Sequence, residues 1–572
     1  MRDSRSASQI LYGFLPHQTV DLQGDVWRVR EWRNALRILN IDDDTLRREI
    51  LRQLQPWEIT QKDSYLARNL RRGDPIAVLE VNPENGVDVE PFPKQWLCRG
   101  CKKLFNSPAS ACSCGAKKLS SFHFVAYHDE CGLLREVPLP KPCSEHRQIS
   151  VRFPGASTAS ELRFECPVCK KVLRKGFPQQ MACSCGKPGF LSFNVHRAAA
   201  VFTPRTVVIV NAPRADQRRA IAESGGRARA LSWVLDGMVG RVTETVATEE
   251  SLRLGLKSQG LPPSVIEMLI TEARLKGGLA SEACVQLAAT VKEDAESQAV
   301  TIALASLNSR TSVKDLLERC SVESSLGQTY SFDYPRAISN SGLCAVDLID
   351  RFPILSGVFG YTRGEYSPGK STLIPFRNST TGINVYADFA ETEALFFRLD
   401  PLRVARWLET RGWKLSPFED AKSARLAILE RCGMPASMDV DHSISQDLFK
   451  LIHSFAHRTM RISAKFAGID RSALAELLVP LHLGFFIYAT PRGDFVLGGL
   501  QAVFESRLHS LLDSVLADEH RCAMDPGCEK GGGACAACLH VGEPSCRSFN
   551  QLLGRETLFG THGYLRRTHR TE

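Results

Sequence analysis

The chain has 572 residues, of which 43% are hydrophobic and 24% charged, with a formal net charge of +9. At roughly 100–200 residues per domain this length predicts three to five structural units, and the globular composition excludes disorder as the dominant state. No apolar run approaches the roughly 20 residues of a membrane span, and the basic start of the chain lacks an apolar signal core, so the expectation is a soluble cytoplasmic protein.

The cysteines carry more information than the bulk composition. There are nineteen, ten of them between residues 98 and 185 and five between 522 and 546. A chain this long does not need disulfide staples, and short-spaced clusters in a reducing compartment read as metal sites. Charge is uneven as well. Residues 98–200 hold 16 Lys and Arg against 6 Asp and Glu, a surplus of +10, so the rest of the chain sums to −1. Eight thiolates on two zinc ions lower that surplus to about +6, which leaves a basic surface able to face phosphates.

The predicted fold class is α+β and multidomain: tandem zinc ribbons, a helical middle segment, and a mixed α/β C-terminal domain with a cysteine-cluster zinc site. Residues 1–95 form an N-terminal α/β segment. The alternation in 19–29 predicts a hairpin, and acids at 42–44 followed by Leu46, Ile50 and Leu54 predict a helix over 42–54. The proline-rich stretch 82–94 reads as a linker.

Residues 96–200 form the tandem ribbon region. Cys98 and Cys101 are followed by Cys112 and Cys114, and Cys166 and Cys169 by Cys183 and Cys185. Both copies read CxxCKK, then a spacer, then ACSCG, then Ser-Phe (Ser121-Phe122 and Ser192-Phe193). Each copy predicts one closed, four-thiolate structural zinc with no position left for a catalytic water. Such an ion contributes roughly 10–16 kcal/mol of coupled folding free energy in small modules, enough to replace a core. Between the copies, His128, Cys131, Cys143 and His146 have spacing that suits a further zinc. The Pro138, Pro140 and Pro142 loop and the lack of a duplicate favour hydrogen-bonded imidazoles there instead. The bases beside the knuckles are candidate nucleic-acid contacts: Lys102, Lys103, Lys117, Lys118, Lys170, Lys171, Arg174 and Lys175.

Residues 201–330 read as a strand pair followed by helices, with Ser264 as a possible cap. Residues 331–520 read as an α/β body. Within it, Gly364, Gly369, Lys370 and Ser371 satisfy the string GxxxxGKS. A phosphate loop must follow a buried strand and open a helix, so that free N–H groups meet the phosphates. Residues 372–376 (TLIPF) look extended, which predicts a glycine-rich loop between two strands; the alternative is an ATPase built on this loop. Stretch 385–400 reads as a strand pair, 444–469 as the best helix, 483–497 as strand, turn, strand, and 500–516 as a helix. His453 and His457 stand at i and i+4, but Ser454 occupies the position where a metalloprotease has its general-base glutamate, so they read as core residues.

Residues 521–572 form a zinc-binding tail. Five thiols compete for four places; Cys528, Cys535, Cys538 and Cys546 are the favoured ligands, with Cys522 as the alternative fourth. The expectation is about three zinc ions per chain, two in the ribbons and one here.

These motifs carry a resemblance. The opening SQILYGFLPHQTVDL, the paired CxxC knuckles, VHRAAAVFTPRTV, the helix HSFAHRTM, FIYATPRGDFVLGGL, and the CxxCL cluster followed by Ser548-Phe549-Asn550 together resemble the DrmB family, the helicase-associated component of the DISARM anti-phage system. The tail is similar to a zinc-binding domain found beside certain superfamily 2 helicases. Related tails close on Leu-Asp-Arg where this one has Leu553-Gly554-Arg555, so a role for the acid is in doubt. The resemblance implies a non-catalytic accessory subunit that pairs with a DrmA-like helicase and helps it engage DNA; the knuckle-adjacent bases add the expectation that the contact does not read sequence.

Overall fold

The computed structural model describes residues 7–63, 65–82, 84–107, 112–116, 118–153, 161–244, 249–275, 287–321, 323–378, 382–435, 442–490, 497–517, 522–542, 545–546, 548, 550 to 565, with the side chains of 7–9, 249–251 and 274–275 left aside. It is mixed α/β. Two compact units emerge, one formed by residues 1–209 and 355–389, the other by 210–354 and 390–572.

In the first unit, Thr19–Leu22 and Asp25–Trp32 form the expected hairpin, with Thr19 opposite Arg28. The stretch read as a linker supplies a third strand, Val87–Pro91, on its open edge. The helix runs over Asp43–Ile59; the Asp42 carboxylate accepts from Thr45 N at 2.9 Å, and Leu46, Ile50, Leu54 and Trp57 are buried. Ile76–Glu80 pairs in parallel with residues 383–386.

The cysteine-rich region of this unit is built from three small three-stranded sheets. One joins Trp96–Cys98 to Leu104–Phe105 and Leu119–Ser121. A second joins Ser150–Arg152, Arg163–Glu165 and Val172–Lys175. In the third, Phe124–Tyr127 takes Leu134–Glu136 on one side and Ser192–Val195 on the other. Their shared core is small: Leu97, Phe122, Val151 and Phe164 are buried, and the Phe177 and Phe193 rings stack at 5.1 Å.

The second unit has the larger core. Its centre is the helix Ile444–Ala467, started by the Ser443 hydroxyl and stopped by Gly468 at φ +65°. It lies on an antiparallel array in which Ala394 opposes Tyr488 and Ala475 opposes Tyr488 from the other side. Several predicted boundaries move. Stretch 385–400 belongs to one strand, Ile383–Leu399, because nothing in it supplies a turn. Glu393, buried within it, accepts from Leu500 N and Gln501 N at the start of the helix Gly499–Ser506. The helix read over 500–516 is two, Gly499–Ser506 and Leu508–Leu516, broken at Arg507. The strand Gly484–Ala489 pairs back onto Leu474–Val479, and most of the predicted second strand, 491–496, lies outside the described residues. Among the described residues of 215–320 helices dominate as expected, with a short strand at Arg310–Ser312, and Ser264 sits inside the helix Pro263–Leu275 rather than capping it.

Candidate metal centres

The duplicated CxxCKK segments fold alike. Cys98 N donates to Lys103 O at 2.9 Å and Lys102 N to Cys98 O at 3.0 Å; Cys166 N donates to Lys171 O at 2.9 Å and Lys170 N to Cys166 O at 3.1 Å. Lys102 and Lys170 have φ +60° and +61°. In both ACSCG segments the glycine is left-handed, Gly115 at φ +82° and Gly186 at +73°, a conformation that glycine enters without the Cβ penalty.

The partners of these knuckles differ between the copies. In the first copy Cys98, Cys101, Cys112 and Cys114 converge, with Sγ–Sγ separations of 3.4 Å for Cys98–Cys114 and for Cys101–Cys112. In the second they divide. Cys166 and Cys169 meet Cys143 and His146, with Cys143 Sγ 3.7 Å from Cys169 Sγ and His146 Nδ1 3.6 Å from Cys166 Sγ. Cys183 and Cys185 meet His128 and Cys131, with Cys131 Sγ 3.7 Å from Cys183 Sγ and His128 Nδ1 3.5 Å from Cys185 Sγ. The expected grouping of Cys166, Cys169, Cys183 and Cys185 about one ion is therefore replaced by two mixed groups, and the HxxC and CxxH pairs take part in them.

Strand pairing is the physical reason. After the ACSCG of the first copy, Leu119–Ser121 pairs back onto Trp96–Cys98 and returns its thiols to their own knuckle. After the ACSCG of the second, Ser192–Val195 pairs with Phe124–Tyr127 instead, so its thiols are carried to the turn at 128–131.

In the tail, the alternative ligand takes the place. Cys522, Cys528, Cys535 and Cys538 converge, with Cys522–Cys535 at 3.5 Å and Cys528–Cys538 at 3.7 Å. Asp525 accepts from Cys522 N at 2.6 Å and from Arg555 at 2.7 Å, which holds this loop. Cys546 lies apart from them, 3.3 Å from His453. At Gly554 a Cβ would fall 2.2 Å from Glu556 Oε1 and 2.5 Å from Lys450 Cε, so a side chain there requires the Lys450–Glu556 pair to move aside.

The donor sets fit zinc. Bonds of about 2.0–2.3 Å in a tetrahedron put neighbouring donors roughly 3.3–3.8 Å apart, and the separations above fall in that range. His128 Nε2–H donates to Pro188 O at 3.1 Å, which leaves the Nδ1 lone pair facing the thiols. Without a cation the sulfurs share protons. The Ala116 N–H, then Cys98, Cys112 and Cys101, hold Cys114 down to about 6. Burial, then Cys535 and Cys538, push Cys528 up to about 12.

Among the candidate phosphate contacts, Lys102, Lys118, Lys170, Lys171 and Lys175 are exposed and Lys103 is half-buried, its ammonium 5.5 Å from the Phe105 ring. Lys117 lies outside the described residues. Arg174 is committed elsewhere: its guanidinium lies 4.7 Å over the Phe164 ring and donates to Pro138 O at 2.8 Å.

The GxxxxGKS segment joins the strand Leu343–Thr362 to the short strand Ile374–Pro375, and no helix follows it. Ser371 is buried, and its Oγ accepts from Glu365 N at 2.8 Å. Gly369 approaches the Pro56 carbonyl so closely that a Cβ would fall 2.5 Å from it. This loop is packed against the protein and lacks the helix N-terminus that a phosphate cradle uses.

Two comparisons bear on this chain. Residues 6–208 match the model of a family described as Domain of unknown function (DUF8724). The chain is 25% identical over 182 residues to the DISARM protein DrmB of Bacillus paralicheniformis, a match that covers 30% of this chain and 32% of that protein. The match thus spans about a third of the curated relative. It supports the resemblance read from the motifs. Among the described residues, no helix is long and apolar enough to cross a membrane.

Proposed function

We propose that this protein is a non-catalytic, zinc-bearing accessory subunit of a DISARM-type anti-phage complex in the cytoplasm. In this reading it pairs with a DrmA-like superfamily 2 helicase and helps that motor hold DNA without reading sequence. The observation that carries the proposal is its similarity to the DISARM protein DrmB. Two features support it. The thiol and imidazole groups have the chemistry of closed structural zinc sites, which stabilise a scaffold and offer no open position. Exposed lysines stand beside metal-fixed knuckles, where a rigid backbone places charge for phosphates.

The test uses the full chain with a co-expressed DrmA-like helicase. The expected result is a stable complex that binds DNA more tightly than the helicase alone, and negligible ATP turnover by this chain by itself. A chain that hydrolyses ATP alone, or a helicase whose complex formation and DNA affinity ignore it, would overturn the reading.

A further inference from the structure

The residues set aside as core, His453 and His457, meet Cys546 and Glu476 in the interior of the second unit. All four are buried to 1% exposure or less. The two histidines lie one turn apart on the helix Ile444–Ala467, Glu476 on the strand Leu474–Val479, and Cys546 in the tail. His453 Nε2 is 3.3 Å from Cys546 Sγ and 3.1 Å from Glu476 Oε1, and His457 Nε2 is 3.3 Å from the same oxygen. The four donor atoms all lie within 4.8 Å of one another.

Hydrogen bonding alone leaves this cluster unsatisfied. His457 Nδ1–H donates to Leu539 O at 2.9 Å, so without a metal its Nε2 faces Glu476 Oε1 either as a lone pair against an acceptor or as the N–H of a buried cation. Among the described residues, His453 Nδ1 and Glu476 Oε2 are buried without a partner. A proton on His453 Nε2 leaves the Nδ1 lone pair orphaned, and a proton on Nδ1 leaves Nε2 facing a sulfur and an oxygen. Burying such groups unpaired is costly. One cation at the centre takes up both Nε2 lone pairs, the Glu476 carboxylate and the thiolate together, while the His453 Nδ1–H is without a partner among the described residues in either case.

Charge and burial agree with this. A divalent ion with one carboxylate, one thiolate and two neutral imidazoles sums to zero, the charge state that an enclosed site tolerates best. The four-thiolate group at Cys98, with a net charge of −2 when it holds zinc, keeps Cys101 and Cys114 exposed to solvent. Asn550 N also donates toward Cys546 Sγ at 3.3 Å, the hydrogen bond expected of a thiolate ligand.

We propose that His453 Nε2, His457 Nε2, Glu476 and Cys546 Sγ together hold one zinc ion as a closed structural centre, separate from the cysteine-dominated groups. Its mixed nitrogen, oxygen and sulfur donors suit this borderline-soft cation, and the thiol proton leaves to solvent on binding. The ion pins the tail to the long helix and the strand. The Leu539 carbonyl, one residue after Cys538, links it to the neighbouring four-thiolate loop.

The experiment is zinc quantification on the purified full chain, for the wild type and for Cys546→Ser and Glu476→Gln. Loss of one ion per chain in either soluble variant is the expected result, and an unchanged count in both would overturn the proposal. If the variants do not fold, anomalous diffraction at the zinc edge from wild-type crystals decides the matter. A peak within bonding distance of all four atoms supports the centre. No peak there means a bare imidazole–carboxylate network and refutes it.

Discussion

Replacing His128 by Ala separates the two ways of pairing the second knuckle set. If Cys166, Cys169, Cys183 and Cys185 shared one ion, His128 would be irrelevant to metal binding. In the structure its Nδ1 stands 3.2 Å from Cys131 Sγ and 3.5 Å from Cys185 Sγ, so the substitution removes one of four donors. A structural zinc contributes roughly 10–16 kcal/mol in small modules, and a quarter of that is about 3–4 kcal/mol, or a loss of affinity of about 10²–10³-fold. The assay is zinc transfer to a chromogenic chelator from the full-length wild type and variant. One ion should transfer at a chelator concentration two to three decades lower, with the others unmoved. Cadmium-113 resonance of the exchanged wild type gives an independent reading: two centres with three sulfurs and one nitrogen are expected beside the four-sulfur centres. A spectrum in which all the cysteine-rich centres are four-sulfur, or a variant that holds its zinc like the wild type, would refute the interleaved pairing.

Other measurements probe the rest of the molecule. Lys370→Ala should leave ATP turnover of the helicase complex within about twofold, because a loop without a following helix does not cradle a nucleotide; a collapse with the complex intact would favour an ATPase reading. Substituting Lys170 and Lys171 by Gln should lower DNA affinity and reduce the slope of log K against log salt by about one per lost phosphate contact; loss of complex formation at unchanged intrinsic DNA binding would show a protein interface instead. His482 is buried, and burial lowers its pKa to about 4 although its Nε2–H donates to Ala295 O at 2.7 Å. The unfolded chain takes up this proton near pH 6.5 and the folded one only near 4, so stability should fall by about 3 kcal/mol as pH drops through that window, and His482→Gln should flatten this part of a denaturant-midpoint profile.

Local chemistry was legible in the sequence. The capped helix behind Asp42, the long helix with buried Leu448, Leu451, Ile452 and Phe455, and the identical CxxCKK knuckles all follow from spacing over a few residues. Long-range partners were not. The thiols of 183–185 could be assigned only by knowing which sheet the strand Ser192–Val195 joins, and the matching Ser-Phe dipeptides of the two copies gave no sign that the segments around them pair differently. The histidines show the same limit: His128 and His146 join thiols from a distant segment, and His453 and His457 are buried in the core as expected, beside partners that spacing does not reveal. Positions i and i+4 place His453 and His457 on one face, but the glutamate and thiolate that meet them come from residues 476 and 546, which no local pattern connects. The five tail thiols were one too many for a single ion, and that surplus was the available signal that Cys546 belongs elsewhere.

The exchange of strands also changes what the two copies are. Were each copy closed on itself, either could be lost without the other, as beads on a string. In the structure the second CxxCKK knuckle is completed by 143–146 and the second ACSCG by 128–131, so the segment between the copies is part of both groups. The first knuckle is tied in as well, since Val151 N donates to Lys102 O and Leu104 N to Ile149 O. Ten thiolates with three divalent ions carry the same net −4 as eight with two, so the basic surplus of about +6 survives the new pairing. What differs is cooperativity. With metal bound at all three groups, the lysines that flank the knuckles would be fixed relative to one another through the shared segment 128–146 and the backbone bonds at Lys102 and Leu104.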